Sequence, residues 1–381
     1  MNINYSLSGL GGIAKTHLMG LKNLEMLELG LDFKINLSTL ATSHPQEKGK
    51  LAREVGFDQV LDDFDKLLKA DVDLVDLCTP NFLHAEEILK ALAADKHIYC
   101  EKPLALNLEE AEMIMEQLEG KDLKNQIAFV YRFAPAAAYA HALLKNNVIG
   151  EVQFAKIEYY HSRYLNPEVP ISWRLKKDSS GGGALVDLGS HMIDLSRFLL
   201  GEVESLSAWT KTFVNSRKIA AGSLKKVNVD DWAMLMLDFA SGAKGTLEAS
   251  RVSPGNEGFR FHIFGDQGAI YIDSDQIDKV QLFDQTPEEI RVTEEMVAGD
   301  QFLDRLLELY PGSKSTQGMM IDLHLVSLIF FFESIAAGKS NPGVPTFRDG
   351  YEAQKIIETA YQSAEADAKK LRLNKKDKLS I

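Results

Sequence analysis

Cysteine is scarce: the 381-residue chain has two, Cys78 and Cys100, too few for a disulfide framework. Both close short apolar runs, LVDLC and HIYC, which suits buried free thiols in a reducing compartment. Positive charge is also short. Lys and Arg number 42 against 55 Asp and Glu, a net charge of −13, which argues against nucleic acid or anionic membrane as a partner. No long hydrophobic run is present. The most apolar stretch, Leu325–Phe332, is too short to cross a bilayer and has Asp322, His324 and Glu333 around it. The opening MNINYSLSGLGG has neither the basic nor the apolar region of a secretory signal, so a soluble, cytoplasmic protein is expected. A Cys–His cluster, a His-Glu-x-x-His helix, a Gly-x-Ser-x-Gly elbow and a Walker lysine are all missing from the sequence. Metal sites and the corresponding hydrolase and nucleoside-triphosphatase chemistries are therefore not expected.

What is there is an alternation. At this length two domains are the default. The first third reads as short apolar strands alternating with helices, the pattern of a doubly wound parallel sheet. Ile3–Ser8 leads into Gly9-Leu10-Gly11-Gly12-Ile13-Ala14 and a helix. In that context Gly9 permits a tight turn, Gly11 lets backbone approach a pyrophosphate, and Ala14 permits close packing of helix on strand. The rival reading is a structural glycine turn. The strand 33–41 ends at Thr42-Ser43, where a dinucleotide fold usually carries an acid for the ribose 2′-hydroxyl. Its absence leaves room for a 2′-phosphate, so NAD or NADP is expected, leaning towards NADP. Three further strands, 72–78, 96–103 and 126–130, end at Thr79-Pro80-Asn81, at Lys102 and at Arg132. In the run KHIYCEKPL, Pro103 holds Lys102 out of helical geometry. The lysine then stands at a strand tip, facing the crevice where such sheets bind ligands. A solvated turn is the plainer reading of Glu-Lys-Pro alone.

Past Gly150 most alternating runs follow one another without helices, as in an antiparallel sheet. Between the first two lies SGGGALVDLGSHMIDLSRFLLG. As a helix it sets Leu185, Leu188, Met192, Leu195 and Leu199 on one stripe and Asp187, His191 and Asp194 on another. The three preceding glycines strip side chains from the approach, as a bound ligand requires; a surface ion pair of Asp187 with His191 is the rival. The loop 161–178 carries Arg163, Tyr164, Trp173 and Arg174, side chains suited to gripping polyols, although Trp173 serves equally as an anchor to the core. The other eight histidines have no comparable neighbours, and Asp230-Asp231, at the start of a strand, reads most simply as a turn, with a ligand-facing pair as the alternative. Helices are expected over 300–309, 321–337 and 348–371, and residues 285–320 give weak signals otherwise.

These segments together resemble the glucose–fructose oxidoreductase / inositol dehydrogenase (Gfo/Idh/MocA) family. The resemblance runs from the glycine-rich opening through CTPNFLHAEEILKALAADKHIYCEKPLA, VYRFAP, SGGGALVDLGSHMIDLSRFLLG and LDFASGAKGTLEASR to FRDGYEAQKIIETAYQSA, nearly the whole chain. It implies a Rossmann domain, placed at residues 1–125, and an α+β substrate and oligomerisation domain, 126–381. The second has an open-faced, mainly antiparallel sheet with helices on one face, and the last helix packs back on the first domain. It implies nucleotide contacts at Gly9, Gly11, Gly12, Ile13, Thr79, Asn81, His84, Glu101, Lys102 and Arg132, with Pro80 in the same turn. Lys102, Asp187 and His191 fall on the family's catalytic positions. The implied activity is NAD(P)-dependent oxidation of a secondary alcohol of a sugar, inositol or related polyol by a homodimer or homotetramer joined through the second sheet. His191 would take the hydroxyl proton, Lys102 would stabilise the oxygen, and Asp187 would orient them. Two alternatives share the scaffold: redox-neutral glycoside cleavage with NAD, and a non-catalytic nucleotide-sensing regulator.

Overall fold

The computed structural model describes residues 1–24, 26–219 and 222–373. Six parallel strands form the first sheet: β1 (Asn2–Ser8), β2 (Lys34–Ala41), β3 (Gln59–Leu61), β4 (Leu74–Leu77), β5 (His97–Cys100) and β6 (Asn125–Ile127). Their order is β3-β2-β1-β4-β5-β6. The order reverses between β1 and β4, which opens a crevice at the carboxyl ends of those strands. β4 and the end of β1 are buried on both faces, and their polar residues Ser6, Ser8 and Asp76 are hydrogen-bonded there. The short β3 gave no apolar run in the sequence; its residues are partly exposed, as at a sheet edge. β6 pairs with β5, so the first sheet extends past the expected boundary at residues 125 and 126.

The chain then builds a nine-stranded sheet from β7 (Val152–Tyr160), β8 (Val203–Lys211), β11 (Trp232–Phe239), β12 (Lys244–Ser250), β13 (Gly258–Gly265), β14 (Ala269–Asp273), β15 (Gln281–Phe283), β16 (Glu289–Ile290) and β17 (Leu371–Arg372). A separate hairpin joins β9 (Ser216–Lys218) to β10 (Leu224–Lys226). In the large sheet β7 and β12 run parallel and every other pairing is antiparallel. A parallel pair needs a long crossover, and here it includes the helix Ser190–Leu200.

Two late helices tie the halves together. Met319–Ala337 is longer than the apolar run alone suggested, and is long and apolar enough to span a membrane by length and composition. It is packed inside this protein instead, with Phe331 against Tyr99 and Phe332 against Tyr5 of the first sheet and against Phe33, just before β2. The last helix, Phe347–Glu365, starts at a capping box formed by Thr346 and Asp349. It ends six residues short of the expected Leu371, because Leu371 and Arg372 pair with β8 as a strand. As expected it reaches the first domain, where Gly350 allows contact with Leu104 and Ile127.

Candidate active site

A cavity of about 1040 Å³ lies at the carboxyl ends of β1, β2, β4 and β5. Gly9, Gly11, Gly12 and Ile13 form one wall. Gly9 has φ +86°, and a Cβ there would stand 3.0 Å from the Cys78 carbonyl oxygen, so the turn requires glycine. At Gly11 and Gly12 a Cβ would meet no protein atom within 4 Å. The bare backbone at the start of the helix Gly12–Leu24 therefore faces open space, as a bound pyrophosphate needs. The residues present fit a dinucleotide.

Thr42 and Ser43 line the far end together with Lys48 and Asp62. An acid is thus present at this end after all, contributed after β3 and paired with Lys66 at 2.8 Å. Thr79, Pro80 and Asn81 line the middle. Thr79 and Ser8 both donate to the Glu87 carboxylate, at 2.6 and 2.8 Å. Asn81 donates to the Ser180 carbonyl at 2.9 Å, joining the first domain to the glycine approach of the second.

Two expected nucleotide contacts fall elsewhere. The buried ring of His84 lies between the carbonyls of Pro103 (2.7 Å) and Thr79 (3.0 Å) and brackets two turns. Arg132 is 5% exposed and turned beneath the cavity, where Nε donates to Asp194 at 2.8 Å and Nη2 to Asp349 at 2.8 Å. Those carboxylates come from distant helices, and burying a guanidinium demands such partners. Asp194 accordingly faces Arg132, away from its expected stripe.

Glu101, Lys102, Asp187 and His191 line the opposite end. Lys102 Nζ donates to Asp187 twice, to the carbonyl at 2.7 Å and to Oδ1 at 3.1 Å. Asp187 sits in a π-helical turn, Leu185–Gly189, a distortion frequent at functional sites. Burial pushes its carboxyl up, but Lys102 and Arg251 outweigh burial and hold it far below the usual range. His191 is 8% exposed and packs on Tyr131, with ring centroids 4.7 Å apart. Burial, reinforced by the Lys102 charge, drives its pKa well below the ordinary histidine value, so the ring is neutral at pH 7. Its Nδ1 is buried without a hydrogen-bond partner. Asp187 bonds Lys102 rather than the imidazole.

The second glycine run serves the protein. A Cβ at Gly181 would meet the Leu106 carbonyl oxygen at 2.5 Å, and one at Gly183 the Asp230 carbonyl oxygen at 1.8 Å. Asp230 is no simple turn residue: it accepts from Gly183 N and Leu185 N, both at 2.9 Å, and from the Tyr361 hydroxyl at 2.7 Å. Asp231 accepts from Phe213 N and Val214 N at 2.8 and 2.9 Å. Tyr164, Trp173 and Arg174 of the loop line the cavity.

Sequence reasoning missed several side chains. Arg251, His324 and Tyr131 line the cavity. The ring of His17, fully buried, bridges Asp76 (2.7 Å) and Glu101 (3.2 Å), and Glu101 lies 3.7 Å from His324. Burial would lower the His17 pKa, yet Asp76 and its neighbours raise it well above normal, making a buried cation. Burial pushes Glu101 up, but the hydrogen bond from His17 and the nearby His324 bring it to about 2. His324 is lowered to about 3 by burial and the His17 charge. Two trios of ligand-type atoms therefore converge, His17 with Glu101 and His324, and His17 with Asp76 and Cys78, each within 4.8 Å. His17 is common to both and is held between the Asp76 and Glu101 carboxylates. The one local signal was Glu101 beside Lys102; the rest meet only through the fold.

Comparison with known proteins agrees with this geometry. Residues 3–129 match the family described as oxidoreductase family, NAD-binding Rossmann fold, and residues 137–271 match the GFO/IDH/MocA C-terminal domain. The chain is 30% identical over 390 residues to levoglucosan dehydrogenase of Pseudarthrobacter phenanthrenivorans, covering 95% of this chain and 96% of that one. It is 26% identical over 357 residues to myo-inositol 2-dehydrogenase of Thermotoga maritima, covering 92% and 94%. A solved levoglucosan dehydrogenase in complex with NADH and levoglucosan superposes with a TM-score of 0.88 at 30% identity, covering 98% of this chain and all of that one.

Proposed function

The chain belongs to the Gfo/Idh/MocA oxidoreductase family, and from that premise we propose that it oxidises a secondary alcohol of a sugar, inositol or related polyol, reversibly. The observation that carries this reading is the meeting in one cavity of an ammonium anchored by a carboxylate and a neutral imidazole, Lys102 with Asp187 and His191.

Gly9, Gly11, Gly12, Ile13 and the Thr79–Asn81 turn would hold the dinucleotide, whose nicotinamide, when bound, accepts hydride from the carbinol carbon. His191 removes the hydroxyl proton as the C–H bond breaks and the carbonyl forms. With Nδ1 buried, Nε2 is the nitrogen that takes it. A neutral ring can do so without first losing a proton. Lys102 donates to the same oxygen and stabilises its developing negative charge. Asp187 keeps the ammonium aimed at that oxygen. Glu101 and the His17 cation fix the strand tip from which Lys102 projects. The Thr42 end, lacking an acid on β2 itself, admits NADP as well as NAD, with a lean towards NADP. The open face of the large sheet exposes Phe154, Trp209 and Met236, and this apolar patch supports a homodimer or homotetramer.

The deciding experiment is His191→Ala assayed on a sugar and polyol panel by nicotinamide absorbance. Turnover should fall by about 10²- to 10⁴-fold while NADH still binds. Wild-type turnover by the variant on a substrate of the native enzyme would sink the assignment.

A further inference from the structure

The end of the cavity around Asp187 is basic out of proportion to a chain of net charge −13. Lys102, Arg163, Arg174 and Arg251 all line the cavity, and they are linked. Arg251 Nη1 lies 3.8 Å from Asp187 Oδ2. Its guanidinium sits 4.9 Å from the Tyr164 ring centroid, and Arg163 covers the same ring at 5.9 Å. Arg174 lies over Trp173 at 4.3 Å. Behind Tyr164, Arg217 adds a further fully buried cation, donating to the Asn166 carbonyl at 2.7 Å.

Carboxylates are few on this wall: Asp187 stands beside Arg251 and Asp231 near Arg217. Arg251 is fully buried, and its Nε has no hydrogen-bond partner; the same is true of Arg217. Asp187 is the carboxylate close to Arg251, and Lys102 already claims it. Among the described residues Arg163 and Arg174 have no carboxylate within 4.0 Å, although both are exposed enough to turn towards one. The other acids of the cavity are committed elsewhere: Glu87 to Ser8 and Thr79, Glu101 to His17, Asp62 to Lys66. Desolvating guanidinium groups without counter-ions is costly. A planar, forked cation is also the side chain best shaped to clamp a carboxylate or phosphate.

We propose that the substrate is an anionic monosaccharide, a sugar ring carrying a carboxylate or a phosphate. Its apolar ring face lies on Trp173, its reacting hydroxyl sits between Lys102 and His191, and its anionic group is bound by Arg163 and Arg174 in the field of Arg251. This rests on the dehydrogenase reading and narrows it from polyols in general to charged ones.

The test uses the full-length protein with NAD⁺ or NADP⁺ and two matched series. One is D-glucose, D-glucuronate and D-glucose 6-phosphate; the other is D-galactose, D-galacturonate and D-galactose 6-phosphate. In at least one series an anionic member should exceed its neutral parent in kcat/KM by about tenfold or more, the worth of a charge-assisted hydrogen bond. The advantage should shrink as salt rises. Preference for the uronate assigns a carboxylate, preference for the 6-phosphate a phosphate. In the Arg163→Ala/Arg174→Ala double variant the anionic-to-neutral ratio should collapse towards one. A neutral parent used as well as or better than both its anionic partners overturns the inference and leaves the dehydrogenase reading standing. So does a double variant whose KM rises for the dinucleotide instead of the sugar, since the arginines would then serve the cofactor's phosphates. If no sugar in either series is oxidised by protein that binds NADH, this inference falls, and the sugar and polyol panel decides the broader reading.

Discussion

The two glycine runs at the cavity, Gly9–Gly12 and Gly181–Gly183, look alike in the sequence and were both read as clearing space for a ligand. They differ in what a side chain would strike. Beyond the tight turn at Gly9, the first run faces emptiness: at Gly11 and Gly12 a Cβ would touch nothing within 4 Å. The second run is pressed against the protein, on the Leu106 carbonyl, the Tyr361 hydroxyl and the Asp230 backbone. The first leaves volume for a molecule the chain does not itself supply. The second lets the helix bearing Asp187 and His191 begin close to Asp230, which satisfies the amides of Gly183 and Leu185. Residue type alone cannot separate these uses; the position of the missing methyl group can.

The sharpest way to break that distinction is Gly183→Ala. Its Cβ would lie 1.8 Å from the Asp230 carbonyl oxygen and 2.6 Å from the Asp230 nitrogen, both backbone atoms that cannot swing aside. The loss of stability should be about 3 kcal/mol or more, at the upper end of overpacking costs, measured as a fall in the urea midpoint at constant slope. An unaltered midpoint would mean that this run, too, faces open space.

Gly11→Val makes the complementary case. The added methyls enter the cavity without touching protein, so the melting temperature of the free protein should stay within a few degrees of wild type. NADH affinity should fall by about 100-fold, or roughly 2.7 kcal/mol, because the side chain occupies the place of approach to the helix terminus. Fluorescence titration of NADH separates the outcomes: unchanged affinity would remove the glycine wall from the cofactor site.

If the second run exists to place the Asp187–His191 helix, the protonation behaviour of His191 follows from that placement. Burial and the Lys102 charge both hold the ring neutral. A general base works only unprotonated, and a lowered pKa keeps it so in mild acid. For alcohol oxidation kcat/KM should therefore stay level as pH falls through 6.5, then drop about tenfold per unit below the depressed pKa. In the residual activity of Lys102→Met the acid limb should move upward, since the neighbouring positive charge is gone. An acid limb at or above 6.5 in the wild type would place the imidazole in solvent.

How much of this was legible depends on whether the partners lie close in sequence. The glycine turn, the Thr79–Asn81 turn and Lys102 each follow an apolar strand directly, and the strand fixes where they stand. Asp187 and His191 share one helix, so their spacing was visible too. Arg132 and His84 look the same locally, but the carboxylates of Asp194 and Asp349 and the carbonyl of Pro103 claim them. Arg251 ends up against Asp187 only because β12 pairs beside β7 in the second sheet. The rings of His17 and His324 pack together, centroids 4.6 Å apart, because a helix more than three hundred residues into the chain returns to cover the first sheet. The end of the last helix was misjudged for the same reason: its continuation pairs with β8, and apolar periodicity carries no mark of a strand partner far away.

The smallest effect concerns the far end of the first wall, where Thr42 and Ser43 stand in place of an acid. Asp62 lies at the same end but is engaged by Lys66, and Lys48 offers a positive charge there. A 2′-phosphate would meet neither a carboxylate on β2 nor a dedicated arginine, so discrimination between the two dinucleotides should be modest in the native protein. Thr42→Asp places a negative charge where the second strand ends. It should accept a hydrogen bond from a ribose hydroxyl and repel a phosphate. The ratio of kcat/KM for NADP⁺ over NAD⁺ should drop by about tenfold, equivalent to roughly 1.4 kcal/mol. Thr42→Ala, which changes the charge by nothing, should leave that ratio within about twofold. If the aspartate leaves the ratio unmoved, the adenosine ribose lies away from Thr42, and the lean towards NADP drawn from that residue loses its basis.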